Sequence, residues 1–201
     1  IVETFKDTNA YFVDGRTREV DVVILCTGYL HHFPFIETNL RLMTTNRLYP
    51  GQLYKGIFWL DYPRLIYLGM QDQYYTLNMF DAQAWYARDA LLSKIKIPSR
   101  DVMEKDISNW QQREQSLKNP IEEIRFQTDY CKNLSALTDY KLDFDLISKQ
   151  FIQWESHKEE NIVTYRDRSF VSPVTHNQAP QHHTSWWKEM DDSYNNFVKH
   201  L

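Results

Sequence analysis

The chain has 201 residues, 42% of them hydrophobic and 15% aromatic, which is enough for a packed core and too apolar for disorder to dominate. Its 23 basic and 27 acidic residues leave a net charge of −4, and the basic ones are scattered. That pattern gives no electrostatic footprint for nucleic acid or for an anionic membrane surface.

No apolar run approaches the ~20 residues of a membrane span. The two cysteines, Cys26 and Cys131, lie far apart and read as buried thiols in a reducing compartment, which suits a cytoplasmic location. The chain opens at Ile1 without an initiator Met or a signal peptide, an opening expected of a piece of something longer.

The first third reads as β-rich. Asn9–Gly15, "NAYFVDG", is a short strand ending at an Asp14-Gly15 turn, a strong hairpin signal. Asp21–Leu25 follows as a continuous apolar run of strand length, expected to be covered on both faces and to end at the turn Thr27-Gly28-Tyr29. Leu53–Leu60 and Leu65–Leu68 are further strand candidates, with Pro34, Pro50 and Pro63 punctuating the loops.

From residue 78 the period becomes helical. Asn78 and Asp81 resemble a capping box, opening a helix with two apolar stripes: Met79, Ala82, Tyr86 and Ala90, and Phe80, Ala84, Ala87 and Leu91. Such a helix is expected to be mostly buried against a sheet, with Lys94, Lys96 and Pro98 ending it. Ser99 caps a second helix to about Lys118. Asn119-Pro120-Ile121-Glu122 caps a third, with Asn at the N-cap and Pro in the first turn. A fourth helix is expected from about Leu146 to Tyr165, then a loop over Asp167–Pro180. A last amphipathic helix follows Thr184 or Ser185, and its adjacent Trp186 and Trp187 suggest an interface: a homodimer contact, or a surface that further chain would cover.

The strand–Gly69–turn–helix unit "LIYLGMQDQYYTLNMF" is where chemistry is most expected. A polar turn feeding a helix N-terminus places dipoles and amides at the helix's positive end, and in a doubly wound sheet it lies at the ligand-binding edge. Gln71, Asp72, Gln73 and Thr76 offer amide, carboxylate and hydroxyl groups suited to a planar heterocycle. The plain alternative is a solvated loop in an ordinary strand–turn–helix. Further on, Trp154 and Arg166 are either a core aromatic and a surface ion pair, or a cofactor-pocket wall and a phosphate ligand. The pairs His31-His32 and His182-His183 cannot readily grip one ion, because adjacent side chains diverge, and no zinc spacing is present; no metal is expected.

The segments "DVVILCTGYLHHFPF", "YKGIFWLDYPRLIYLGMQDQYYTLNMFDAQAWYARD" and "APQHHTSWW" together resemble the C-terminal part of a bacterial flavin-containing monooxygenase, nearest to the trimethylamine monooxygenase branch. The likeness covers nearly the whole chain. It implies an α/β fold, a partial two-dinucleotide-binding (Rossmann-like) flavoprotein: the C-terminal portion of the FAD domain with extra helices. Residues 1–20 would be the tail of an NADPH-binding domain, and residues 21–201 the C-terminal part of the FAD-binding domain with a helical extension. Both glycine-rich dinucleotide loops are missing from this sequence.

The resemblance further implies FAD and NADPH as cofactors, with O2 and a small amine or sulfide as substrates. Trimethylamine would be converted to its N-oxide through a flavin hydroperoxide. Gln73 and Thr76 match positions that contact the flavin ring, and Thr27 and Gly28 would face the cofactor edge. Asp72 matches an acidic residue in a hydrogen-bond network near the nicotinamide. Tyr74 stands where relatives carry Trp, on the substrate side; Trp154 is similar to a pocket Trp, and Arg166 to an Arg that reaches the NADP phosphate. Two other classes fit the residues: a different oxidoreductase on the same two-dinucleotide plan, and a non-catalytic interaction module.

Overall fold

The computed structural model describes residues 1–26, 28 and 30–178, in two units, Ile1–His32 and Phe33–Leu201. The first unit is an antiparallel meander of β1 (Val2–Lys6), β2 (Asn9–Phe12) and β3 (Thr17–Glu19), with Lys6 opposite Asn9 and Ala10 opposite Arg18. β1 carries no period-2 apolar pattern that would have announced it. The Asp14-Gly15 turn forms as its sequence requires: Gly15 sits at φ 81°, and Asp14 pairs with Arg16 at 2.6 Å.

After β3 the expectation of a buried strand fails. Asp21–Leu25 joins no ladder, and Val22 and Ile24 are 76% and 81% exposed. Cys26, expected in the core, is exposed too. A strand covered on both faces needs neighbours on its edges as well as its faces, and the described residues supply none.

The second unit begins with a hairpin where one strand is expected. β4 (Leu53–Tyr54) and β5 (Phe58–Trp59) pair antiparallel, because Lys55 and Gly56 both turn left-handed, at φ 56° and 64°. Leu65–Leu68 contributes a single bridge, Phe58 to Ile66, and no longer strand.

Four helices follow among the described residues: α1 (Thr76–Leu91), α2 (Arg100–Gln115), α3 (Pro120–Ser135) and α4 (Phe144–Glu160). α1 starts two residues before the expected Asn78, without a side-chain cap, and its buried positions are Met79, Ala82, Gln83, Tyr86, Ala87 and Asp89. Ala84 and Leu91 of the second expected stripe are exposed, and the helix packs on α3 as well as on the β4–β5 pair, where Tyr86 meets Phe58 at 6.1 Å. Ser99 precedes α2 without capping it through its side chain, and α2 ends at Gln115.

The cap of α3 forms as its sequence predicts. Asn119 Oδ1 accepts from Glu122 N at 3.0 Å, and Glu122 reaches back to accept from Lys118 N at 2.9 Å. α4 starts under Asp143, whose carboxylate accepts from Leu146 N at 2.8 Å. It stops at Glu160, short of Tyr165, where Asn161 turns extended and its side chain accepts from Val163 N and Thr164 N. A 3-10 turn at Tyr165–Asp167 follows. The helix expected after Thr184 lies outside the described residues, as do Trp186 and Trp187. No described helix is long and apolar enough to cross a membrane.

The core is aromatic, with polar atoms threaded through it. Trp110 stacks on Tyr49 at 5.7 Å and meets Phe126 and Tyr130 edge-on. Tyr130 Oη donates to Lys55 O at 2.6 Å and accepts from Gln71 Nε2 and Gln83 Nε2 at 3.0 and 2.9 Å, which uses its full capacity. Gln83 closes the set by donating to Gln71 Oε1 and accepting from Gly69 N. This network fixes the base of the turn that enters α1.

Candidate functional site: the turn before α1

The chain turns from Gly69 into α1 under tight constraint. Gly69 sits at φ 73°, with Phe80 so close that a Cβ would lie 2.5 Å from its ring. Asp72 N donates to Arg47 O at 2.8 Å, and Arg47 is itself gripped by Glu114 through two hydrogen bonds, at 3.3 and 2.9 Å. Asp72 Oδ1 accepts from Gln73 N at 2.9 Å, closing the turn locally.

α3 holds the rest of the turn. Gln127, fully buried, donates from Nε2 to Asp72 O at 2.5 Å and accepts at Oε1 from Tyr74 N at 2.8 Å. Tyr74 Oη donates to Glu123 at 3.3 Å, and Tyr75 Oη pairs with Thr128 Oγ1 at 2.6 Å. Burial, and then the negative charge of Glu123, push the Tyr74 phenol above its ordinary pKa. Burial pushes Tyr75 up to about 12.

A cleft of about 360 Å³ opens beside this turn, lined by Asp72, Gln73, Tyr74, Thr76, Glu123, Phe151, Trp154 and Lys158. Its walls are aromatic: Tyr74 meets Phe151 at 6.4 Å, and Trp154 meets Tyr165 edge-on at 5.0 Å. Lys158 Nζ lies 5.6 Å over the Trp154 ring and pairs with the buried Glu155 at 3.2 Å. Gln73 Oε1 is buried without a hydrogen-bond partner. A side-chain oxygen left that way costs free energy unless something else donates to it. α1 begins at the cleft with no side-chain cap and no acidic residue in its first turn, so its positive end is not neutralised from within.

The structure therefore gathers five of the residues singled out in the sequence, Asp72, Gln73, Tyr74, Thr76 and Trp154, around one cleft. Arg166 is not among its lining; it is exposed and stacks at 4.5 Å on Tyr165, the ring against Trp154. Arg168 makes a surface pair with Glu160 at 2.8 Å. Gly28, left-handed at φ 79° and exposed, belongs to the Ile1–His32 unit, and Thr27 lies outside the described residues. No group of three or more metal-ligating side chains occurs among the described residues.

Sequence reasoning missed Glu123, Gln127, Phe151 and Lys158. The signal for Gln127 was present: it shares the helix stripe of Ile124, Cys131 and Leu134, all fully buried, so a polar side chain there must have found a buried partner. A second cavity of about 420 Å³, mostly apolar, lies beyond Phe151 and Trp154 and is lined also by Ile147, Phe170 and Val174.

The turn before α1 thus joins aromatic rings, a buried amide oxygen without a partner and an uncapped helix start in one cleft. The comparisons give the chain's family. Residues 1–148 match the model described as "FMO-like: Flavin-binding monooxygenase-like", and the chain belongs to that family. It is 57% identical over 190 residues to a trimethylamine monooxygenase of Pelagibacter sp. (strain HTCC7211), covering 94% of this chain and 43% of that relative. The crystal structure of Tmm from the same strain matches with a TM-score of 0.86 at 55% identity, over 98% of this chain and 45% of that one. An S-allyl-L-cysteine S-oxygenase from Allium sativum matches with a TM-score of 0.65 at 24% identity, over 84% of this chain and 39% of that one, a likeness of fold. The chain thus spans less than half the length of these relatives.

Proposed function

We propose that the chain forms the cleft-bearing, C-terminal part of an FAD- and NADPH-dependent monooxygenase that uses O2 to oxygenate small nucleophilic amines, trimethylamine to its N-oxide above all, or small sulfides. In this reading residues 1–20 complete an NADPH-binding domain, and residues 21–201 belong to the FAD-binding domain of a two-dinucleotide, Rossmann-like architecture. The single observation that carries it is the buried, unpartnered Gln73 Oε1 at the edge of an aromatic-walled cleft, in a chain of a flavin-binding family.

The residues present fit a flavin. The pyrimidine edge of the ring carries an N–H that Gln73 Oε1 lacks, and a planar ring suits walls made of Tyr74, Phe151 and Trp154. Bound FAD, reduced by NADPH, would supply the oxygen-activating chemistry. The chain's own part is to bind, orient and keep water out.

Gln73 and Thr76 hold the ring edge, and the uncapped start of α1 favours the negative charge of a reduced ring. Asp72, tied back through its own turn, would be the acidic residue of a hydrogen-bond network near the nicotinamide. Arg166, its guanidinium laid on Tyr165, would take an NADP phosphate, and Thr27 and Gly28 are the residues we assign to the cofactor edge on the resemblance alone. Tyr74 and Trp154 form the substrate side. An amine must be uncharged to act as a nucleophile, because only then is its lone pair free.

The test uses the intact protein. It should be yellow as purified, and its NADPH oxidation should accelerate when trimethylamine is added. Absence of flavin absorbance, even after incubation with FAD, sinks the reading.

A further inference from the structure

We infer that Gln127 of α3 is the positioning residue for Gln73: one buried side-chain amide fixes both peptide planes that flank the Gln73 Cα. The carbonyl of Asp72 belongs to the peptide plane before Gln73, and the N–H of Tyr74 to the plane after it. Gln127 Nε2 donates to the first at 2.5 Å, and Gln127 Oε1 accepts from the second at 2.8 Å. The orientation of that amide needs no choice, since a carbonyl requires the NH2 and an N–H requires the oxygen. With both planes held, the backbone dihedrals at Gln73 are fixed, and with them the direction in which its side chain leaves the chain.

Three features mark this contact as positioning rather than general packing. Gln127 is fully buried, so its own amide has no solvent to turn to, and losing one of its bonds leaves a polar group unpaired in the interior. The rest of the turn is held separately: Gln71 by Tyr130, Tyr74 Oη by Glu123, and Tyr75 Oη by Thr128. The side-chain oxygen of Gln73, at the centre of the clamp, is buried and has no partner. A rigid mount under an unsatisfied group is the arrangement that pre-organises an acceptor for a ligand. The inference rests on the proposed flavin reading for what that ligand is, and on the hydrogen bonds alone for the mount.

Gln127→Met keeps volume and removes both bonds, whereas Leu134→Ala empties a fully buried position of the same helix, seven residues on, and removes no hydrogen bond to the turn. In the intact protein, hydrogen–deuterium exchange of a peptide covering Gln71–Thr76 should quicken in Gln127→Met by about tenfold and stay near wild type in Leu134→Ala. FAD affinity should fall about tenfold in Gln127→Met, and by less than about twofold in Leu134→Ala even where both lower Tm alike. Because Gln127 acts through Gln73, the effects should not add: in a Gln73→Ala background, Gln127→Met should cost less than about a further twofold.

Unchanged exchange in Gln127→Met overturns the clamp. Additive losses of FAD affinity, or losses that track Tm in both variants, overturn the positioning role and leave a plain packing contact. If the wild-type protein holds no FAD, the flavin reading fails by itself, and the exchange comparison still decides whether Gln127 sets Gln73.

Discussion

In the Ile1–His32 unit the backbone ladders do the holding; in the Phe33–Leu201 unit the side chains do. Ala10 is the one buried residue among those described in the first unit, and β1 and β3 on either side of it are exposed throughout. The second unit buries a continuous aromatic cluster, and inside it runs a polar network in which Tyr130, Gln71 and Gln83 satisfy one another. The difference teaches where stability is stored, and therefore which substitutions can reach the candidate site. A contact in the meander adjoins water, which can replace it, whereas a contact in the network has no substitute.

Two glycines put that comparison under the heaviest load. Gly15 and Gly56 both sit left-handed, at φ 81° and 64°. A Cβ on Gly15 would meet nothing within 4 Å, while one on Gly56 would lie 2.0 Å from Gln71 Nε2 and 2.7 Å from Tyr130 Oη. Gly15→Ala should cost about 1–2 kcal/mol, the backbone contribution alone. Gly56→Ala should cost about 1–3 kcal/mol more, because it overpacks the polar network as well. Urea titrations followed separately for each unit would read the difference. Equal costs would show that the network yields easily, and the contrast between the two units would collapse.

The next effect is one of pH. Burial raises the phenols of Tyr54, Tyr75 and Tyr130 above 10, Tyr75 to about 12. A raised phenol pKa means that, above pH 10, the unfolded chain sheds protons the folded chain keeps, so stability must fall as pH rises. The contribution is whole below pH 10 and for Tyr75 is lost between pH 10 and about 12. Thermal melts at pH 9, 10 and 11 should therefore show a falling Tm for the helical unit, less steeply in a Tyr75→Phe variant, which has no phenol to titrate at that position. Equal slopes in the two proteins would mean that the Tyr75 phenol contributes nothing to the pH dependence.

What could be read from the sequence follows the same division. The α3 cap was legible because Asn119, Pro120 and Glu122 act within one turn and need nothing from the rest of the chain. The residues of the candidate cleft on the turn before α1 were legible because a glycine, a polar run and a helix start adjoin in sequence. Gln127 was not, since it lies more than fifty residues away and only packing brings it back to Asp72. The break in Leu53–Leu60 went unseen because its apolar composition is that of a strand and only Lys55-Gly56 marks the turn. Asp21–Leu25 failed for the opposite reason: its apolar residues state a need for neighbours without supplying them.

That last stretch carries the smallest effect and the sharpest test of the contrast. Ile24 is 81% exposed, so it contributes almost no burial to the folded unit, and Ile24→Ser should change stability by less than about 0.5 kcal/mol. The same change at Ile57, which is fully buried in the second unit, removes an entire core side chain and leaves a hydroxyl in its place, for about 3–5 kcal/mol. The measurement is a pair of urea midpoints on the 201-residue chain, followed by the same pair on the intact protein. A large cost for Ile24→Ser in the intact protein, with none in the shorter chain, would mean that the run Val22–Leu25 is covered by sequence beyond Ile1, as the proposed FAD-domain reading requires of it. A small cost in both would leave the run exposed in the whole protein and remove the sheet edge on which the roles of Thr27 and Gly28 depend.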